Sequence, residues 1–350
     1  MEAEEFTLVR DMLRTFATRH RVGSADEIEP RTRTAAQKAL DELGLAELRL
    51  TSPPAATAQE CALLAEEHGR QPLTTSLLGT ALLAPELLRL LGTTVTASRP
   101  TIALAHDLRF PQRPASPLVA WDCDAADCAL YVAPDGIVRQ VPLGPPTRTA
   151  DLLRAVRTVS DDGDGDGDGE VVGRLGFEDG QRWQSYALVV VAAELVGAAG
   201  SFVELSTDYA RDRRQYGRPV GSFQAVQHLL ADATVLVEAC ASATRYAAWC
   251  LDHEPPGRAL AAARVAKAEV NTSAVEAVYA GMQVFAGIAQ TWEHVAHLYL
   301  RRVLVGAGLL ATTADLLPAL ADPLAAAPDG DRSGTDGHPA SATAEPETTR

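Results

Sequence analysis

Apolar residues recur at steps of three and four along most of this 350-residue chain, a spacing that predicts helices. Residues 5–21 place Phe6, Val9, Met12, Leu13 and Phe16 on one side of a first helix. Residues 34–44 make a second, ended by Gly44; residues 57–68 make a third and residues 75–91 a fourth. Residues 1–95 therefore read as an N-terminal helical domain. Between 100 and 158 the period shortens. TIALAHDL, PLVAW, CALYVA, GIVRQV and LRAVRTV are β-branched runs separated by Pro, Asp and Gly, the pattern of a small antiparallel sheet. Residues 100–175 are thus a reduced middle β-domain. The helical period returns over 180–211, 222–252, 257–285 and 294–319, with Pro255, Pro256 and Gly257 marking one junction. Four long helices with short connections predict an up-down four-helix bundle over 180–320. The fold class is α+β, mainly α.

Two segments fall outside this pattern. DDGDGDGDGE (161–170) is an acidic, low-complexity loop. It alternates Asp and Gly as a calcium loop does, but has no bidentate Glu at the twelfth position, and it reads as a tether. Residues 322–350 lack aromatics and periodicity and read as a disordered tail. Residues 161–170 hold six acidic residues and no base, and 321–350 hold six against Arg332 and Arg350. So −10 of the formal −15 lies in these two segments, and the rest is mildly acidic. That balance disfavours nucleic acid as a partner. Five cysteines (Cys61, Cys123, Cys128, Cys240, Cys250) form no metal spacing, and the odd count predicts reduced thiols in a cytoplasmic protein. The acidic start is unlike a signal peptide. The longest apolar run, Tyr186 to Ala199, is broken by Glu194, so no membrane span is expected.

Residues 211–228, RDRRQYGRPVGSFQAVQH, carry the densest chemical information. Arg211, Arg213 and Arg214 precede Tyr216, and Gly217, Pro219 and Gly221 mark a turn. Ser222 is the expected N-cap of a helix whose apolar set is Phe223, Val226, Leu230, Ala233, Val237 and Cys240. Fixed arginines beside an aromatic suit a phosphate-bearing ligand with a ring system. A solvated helix corner is the plain alternative.

The stretch resembles the signature of the acyl-CoA dehydrogenase family. Residues 283–302, QVFAGIAQTWEHVAHLYLRR, are similar to that family's Gln-x-x-Gly-Gly-x-Gly-x-Thr-x-Glu-His segment, at the family's separation. The resemblance covers 180–315 closely, 1–95 less closely and 100–175 in outline. It implies an acyl-CoA dehydrogenase-like fold, FAD bound across a subunit interface, and α,β-desaturation of an acyl-CoA thioester. It implies that Arg213 meets the FAD pyrophosphate, flanked by Gln215 and Tyr216. Val220 and Phe223 would line the adenosine side, with Gln224 opening the next helix. Gln283 and Gly287 would meet the same dinucleotide, while Ala286 and Ala289 replace family glycines. TSPPAATAQE stands where the family has a glycine loop, and no Gly-Ser-Asp segment occurs in the β-domain.

The family's catalytic Glu stands at one of two places, which here fall at Leu310 and at Ala187 or Leu188. None is acidic. Glu194 lies two turns beyond the second place, and its structural role is the favoured one. Glu293 is expected to cap or pair locally, and Glu178 and Asp179 are weak substitutes. His294 and His297 lack a third metal ligand, and no metal site is expected. The leading expectation is a base-deficient subunit of a heteromeric dehydrogenase, similar to the shortened α2β2 subunits of actinobacterial sterol side-chain oxidation. Its partners would be acyl-CoA, a homologous base-carrying subunit and an electron acceptor such as electron-transfer flavoprotein. The alternatives are a self-sufficient dehydrogenase with its base elsewhere, and a flavin oxygenase, structural or regulatory member of the fold.

Overall fold

A computed structural model describes residues 3–93, 99–113, 117–159 and 169–321. The acidic tether and the tail lie outside these residues, apart from Gly169 and Glu170. Four helices build the N-terminal domain: α1 (Ala3–His20), α2 (Pro30–Asp41), α3 (Ala58–Gly69) and α4 (Ala84–Leu91). Thr57 starts α3 with a reciprocal cap: its hydroxyl accepts from Glu60 N–H at 3.1 Å, and the Glu60 carboxylate accepts from Thr57 N–H at 2.7 Å. The predicted fourth helix is divided. Leu78–Leu83 is one turn of π-helix leading into α4, where Gly79 N–H reaches across to the Asp122 carboxylate at 2.7 Å.

Among the described residues the middle domain has six strands: β1 (Pro100–Ala105), β2 (Leu118–Trp121), β3 (Cys128–Val132), β4 (Ile137–Pro146), β5 (Val156–Val159) and β6 (Glu170–Arg174). Their order is β3-β1-β2-β5-β4-β6, and β4 also pairs with β3, so five strands close on themselves. The predicted sheet was antiparallel throughout; β1 and β3 in fact run parallel. The connection between them passes through β2, which frees β3 to return alongside β1. β6 was not expected, because EVVGR is a short run that begins inside the acidic stretch read as a tether.

The C-terminal bundle consists of α5 (Phe177–Asp212), α6 (Gln224–His253), α7 (Pro256–Phe285), α8 (Ala296–Gly308) and α9 (Thr313–Ala321). The predicted fourth helix of the bundle is two helices. The break at Leu309–Thr312 pairs with the chain after β1: Leu310 N–H donates to Leu108 O at 2.8 Å, and Phe110 N–H to Leu310 O at 3.0 Å. Helix α5 is the core of the molecule. Its apolar window has a mean hydropathy of 1.9, long enough to cross a bilayer, but 89% of that window is buried against protein. It crosses α3 backbone to backbone: a Cβ on Gly69 would lie 2.0 Å from Glu194 O, and one on Gly197 1.9 Å from Glu66 O. Two glycines meeting in this way bring the helix axes as close as they can come.

Candidate functional site

The signature stretch leaves α5 at Arg213, whose N–H still donates to Tyr209 O at 2.8 Å. Two short strands follow, β7 (Arg214–Gln215) and β8 (Arg218–Pro219), paired Arg214 to Pro219 and Gln215 to Arg218. Tyr216 and Gly217 at their tip both have positive φ, 53° and 79°. That is a type I′ hairpin, which needs left-handed backbone at both central positions. Gly221 is required by contact, since a Cβ there would sit 2.9 Å from Ala210 O. Ser222 does not cap α6 as expected. Its hydroxyl donates to Pro219 O at 2.7 Å, and Phe223 holds the N-cap position instead.

The side chains of this hairpin face outward. Tyr216 is 93% exposed. Arg218 stacks on the Phe223 ring at 4.1 Å, and Arg211 pairs with Asp208 at 2.9 Å. Arg213 and Arg214 have no ion-pair partner among the described residues. Gln215 and Gln224 are exposed, and Val220 and Phe223 are half-buried. The second motif arrives at the same end of the bundle, because Phe285 at the end of α7 packs on Tyr209 at 4.5 Å. Gln283 and Gly287 are exposed there. Ala286 keeps a backbone suited to glycine, with φ 55° and ψ −135°, and its methyl group faces solvent; Ala289 is fully buried. His294 packs on Phe285, and His297 stacks on Trp292.

The positions that the family resemblance assigns to a catalytic base lie far from this end. Leu188 and Leu310 line one cavity of about 560 Å³, with Ala187 buried behind them. Two carboxylates reach that cavity, Asp107 and Asp315. Asp315 accepts from the Thr312 hydroxyl at 2.6 Å and its N–H at 2.8 Å, which lowers its pKa and weakens it as a base. Asp107 and Asp315 also flank Arg109 at 3.5 Å each. Glu178 is exposed and Asp179 half-buried, and both are paired with Arg182.

Glu194 is a structural keystone. It is 2% exposed and bonded by the Arg154 guanidinium, by Arg302 at 3.3 Å and by His68 Nδ1 at 2.9 Å. Arg154 continues to Asp122 at 2.7 Å, and Arg302 to Asp151 at 2.7 Å. Burial alone would raise the Glu194 pKa, but the two guanidiniums and His68 outweigh it and hold the carboxyl well below its usual range. Burial lowers His68, so the ring is neutral, with Nδ1–H donating to Glu194 and Nε2 accepting from Thr75. The network joins α3, the β-domain, α5 and α8. Sequence reasoning missed all of it except Glu194, which was visible as the one charge in an apolar run.

Comparison with known proteins gives the family and the fold. Residues 176–308 match the acyl-CoA dehydrogenase C-terminal domain. The chain is 31% identical over 255 residues to the acyl-CoA dehydrogenase IpdE2 of Mycolicibacterium smegmatis, covering 72% of this chain and 74% of that protein. It is 40% identical over 132 residues to IpdE2 of Mycobacterium tuberculosis, a match spanning 37% of this chain and only 39% of that relative. Among solved structures it is similar to the ChsE4-ChsE5 complex from Mycobacterium tuberculosis, with a TM-score of 0.72 at 20% identity, over 94% of this chain and 99% of that one.

Proposed function

The chain belongs to the acyl-CoA dehydrogenase family, and on that premise we propose that it is the base-deficient subunit of a heteromeric, FAD-dependent acyl-CoA dehydrogenase. The observation that carries this reading is the apolar pair at the base positions: Leu188 and Leu310 are 2% and 1% exposed and face one cavity with Ala187 behind them. Leucine and alanine accept no proton. The family's reaction needs a carboxylate against the thioester α carbon, and a positioned general base contributes typically about 10²–10⁴-fold.

The outward-facing hairpin fits the adenosine and pyrophosphate half of FAD. Arg213 is free of carboxylate partners among the described residues, and the exposed Tyr216 and half-buried Phe223 offer ring surfaces. When bound, FAD supplies the hydride acceptor. In this reading Arg213 holds the pyrophosphate by charge-assisted hydrogen bonds, Gln215, Gln224 and Gln283 offer amides to it, and Gly287 leaves open backbone beside it. Leu188 and Arg213 are 25 residues apart on α5, roughly 37 Å at 1.5 Å per residue. A dinucleotide held at the hairpin therefore reaches a neighbouring subunit rather than this chain's own base positions. Val235, Tyr246, Val265 and Tyr279 are more than half exposed on α6 and α7, an apolar surface that suits a subunit interface.

The homologous partner brings the Glu and completes the flavin site. The substrate is a sterol-derived or other specialised acyl-CoA, electrons leave to an electron-transfer flavoprotein, and the assembly is cytoplasmic. The test is turnover of acyl-CoA by the purified chain, alone and with the base-carrying partner. The chain alone is expected to be inactive, the pair active, and the pair silent once the partner's Glu becomes Gln. Robust turnover by this chain alone would overturn the reading. It would turn attention to Asp107 and Asp315, the carboxylates in the cavity.

A further inference from the structure

The cavity at the base positions continues past Gln112 and Gln184 into a second space of about 790 Å³ that reaches β6 and the start of α5. Both spaces share the Arg264 side chain from α7. Arg264 is half-buried, and its guanidinium has no hydrogen bond or ion pair among the described residues. Desolvation pulls its pKa below the usual value, with no neighbouring charge to offset it. A guanidinium withdrawn from water without an anion is unfavourable. The nearby carboxylates are already engaged: Asp107 and Asp315 with Arg109, and Asp135 with Arg174 at 3.3 Å.

We infer that this cavity is a binding site for an apolar monocarboxylic acid, whose carboxylate pairs with Arg264 and whose hydrocarbon body lies on Leu188, Leu310, Leu316 and Phe110. The chemistry of the lining selects that class. Leucines and a phenylalanine form an apolar bed next to the half-buried Arg264 fork; Arg113, also unpaired among the described residues, is exposed to solvent. The amides of Gln112 and Gln184 stand at the junction where the anionic head would lie. The charged residues of the two spaces are Arg109, Arg113, Arg174 and Arg264 against Asp107, Asp135 and Asp315, a balance of +1. That balance neutralises one carboxylate, while the three aspartates oppose a dianionic phosphate. The volume falls within the range of small-molecule sites. The inference does not depend on where the catalytic base resides. It needs only that a flavin ring does not fill this cavity in this chain.

Calorimetric titration of the full chain with sodium octanoate tests it, with octan-1-ol and inorganic phosphate as matched probes. Octanoate is expected to bind saturably, and octanol and phosphate at least tenfold more weakly. Arg264→Met should weaken octanoate binding at least tenfold. Arg264→Lys, which keeps the charge but loses the fork and guards against a folding defect in the first variant, should fall between. Absence of saturable binding, equal affinity for octanol, or unchanged octanoate affinity in Arg264→Met with an unaltered far-UV spectrum would each overturn the assignment.

Discussion

Replacing Arg154 by Met should destabilise the protein more than replacing its partner Glu194 by Gln. The network contains three carboxylates, Asp122, Asp151 and Glu194, against two guanidiniums, Arg154 and Arg302, all at most 5% exposed, with a neutral His68. Its net charge is −1. Arg154→Met takes it to −2. Among the described residues Asp122 is left with the Gly79 N–H at 2.7 Å as its one close donor, and Glu194 with Arg302 at 3.3 Å and His68. The Arg154 stack on Trp121 at 5.3 Å is lost as well. Removing one partner of a buried pair costs about 3–5 kcal/mol. Glu194→Gln takes the balance to zero. Arg154 keeps Asp122, and Arg302 keeps Asp151, both at 2.7 Å. What is lost is charge assistance in the remaining hydrogen bonds, about 1.5–3 kcal/mol. Urea midpoints at constant m, measured near neutral pH, give the comparison. The pH dependence has a definite sign. The Glu194 pKa is lowered on folding from 4.5, so its contribution is present above 4.5 and is lost as pH falls below it. Glu194→Gln should therefore flatten the acid limb of the stability curve. If Glu194→Gln costs as much as Arg154→Met, the charge reckoning fails. His68 would then be protonated, and the network would start balanced.

Arg213→Ala should reduce FAD retention by the assembled protein without changing helix content, since each charge-assisted hydrogen bond to the pyrophosphate is worth about 1.5–3 kcal/mol; unchanged flavin absorbance per protein would remove Arg213 from the site. Gly197→Ala should cost about 3 kcal/mol or more, because its methyl group would lie 1.9 Å from Glu66 O at the α3–α5 crossing. Gly180→Ala, on the same helix with nothing within 4 Å, should be neutral or stabilising by up to about 1 kcal/mol, as thermal melts would record. Lys267 is fully buried, and burial lowers its pKa from 10.5 to about 7. Between these values the unfolded chain binds a proton that the folded one does not, so this group makes stability rise with pH across that window, by about 1.4 kcal/mol per unit at most. Lys267→Met should flatten the rise, and an unchanged slope between pH 7 and 10 would show that the amine does not titrate there.

The bundle was legible because its punctuation is local. Pro255, Pro256 and Gly257 end α6 and start α7, and the predicted bounds of α5, α6 and α7 fall within three residues of the observed ones. The family motifs were legible as words, but their geometry was not. The I′ hairpin at Tyr216 and Gly217 read only as a turn, because an aromatic with positive φ has no sequence signature. The break between α8 and α9 was hidden for a different reason. LLATT carries no Pro or Gly, and the interruption is imposed by backbone bonds to Leu108 and Phe110 about 200 residues earlier in the chain. The ionic keystone is equally non-local, with Arg154 and Arg302 meeting Glu194 across separations of 40 and 108 residues. Periodicity reports which face is buried, not which distant charge meets it.

The α8–α9 break also limits what a single substitution at 310 could restore. Leu310 has φ 67° and is tied by both backbone groups to Leu108 and Phe110. On the other side, Lys267 donates to Gly306 O at 2.9 Å and bonds Asn271, which in turn donates to Ala311 O at 3.1 Å. The loop is pinned from the β-domain and from α7 together. A glutamate placed at 310 would enter a position 1% exposed, where desolvation raises a carboxyl pKa and disfavours the ionised form that a base requires. The hairpin at the other end of α5 is under no such constraint, since its side chains face outward. The two ends of α5 thus differ in freedom: substitutions in the hairpin meet solvent, whereas a carboxylate at 310 would have to ionise inside a pinned, buried loop.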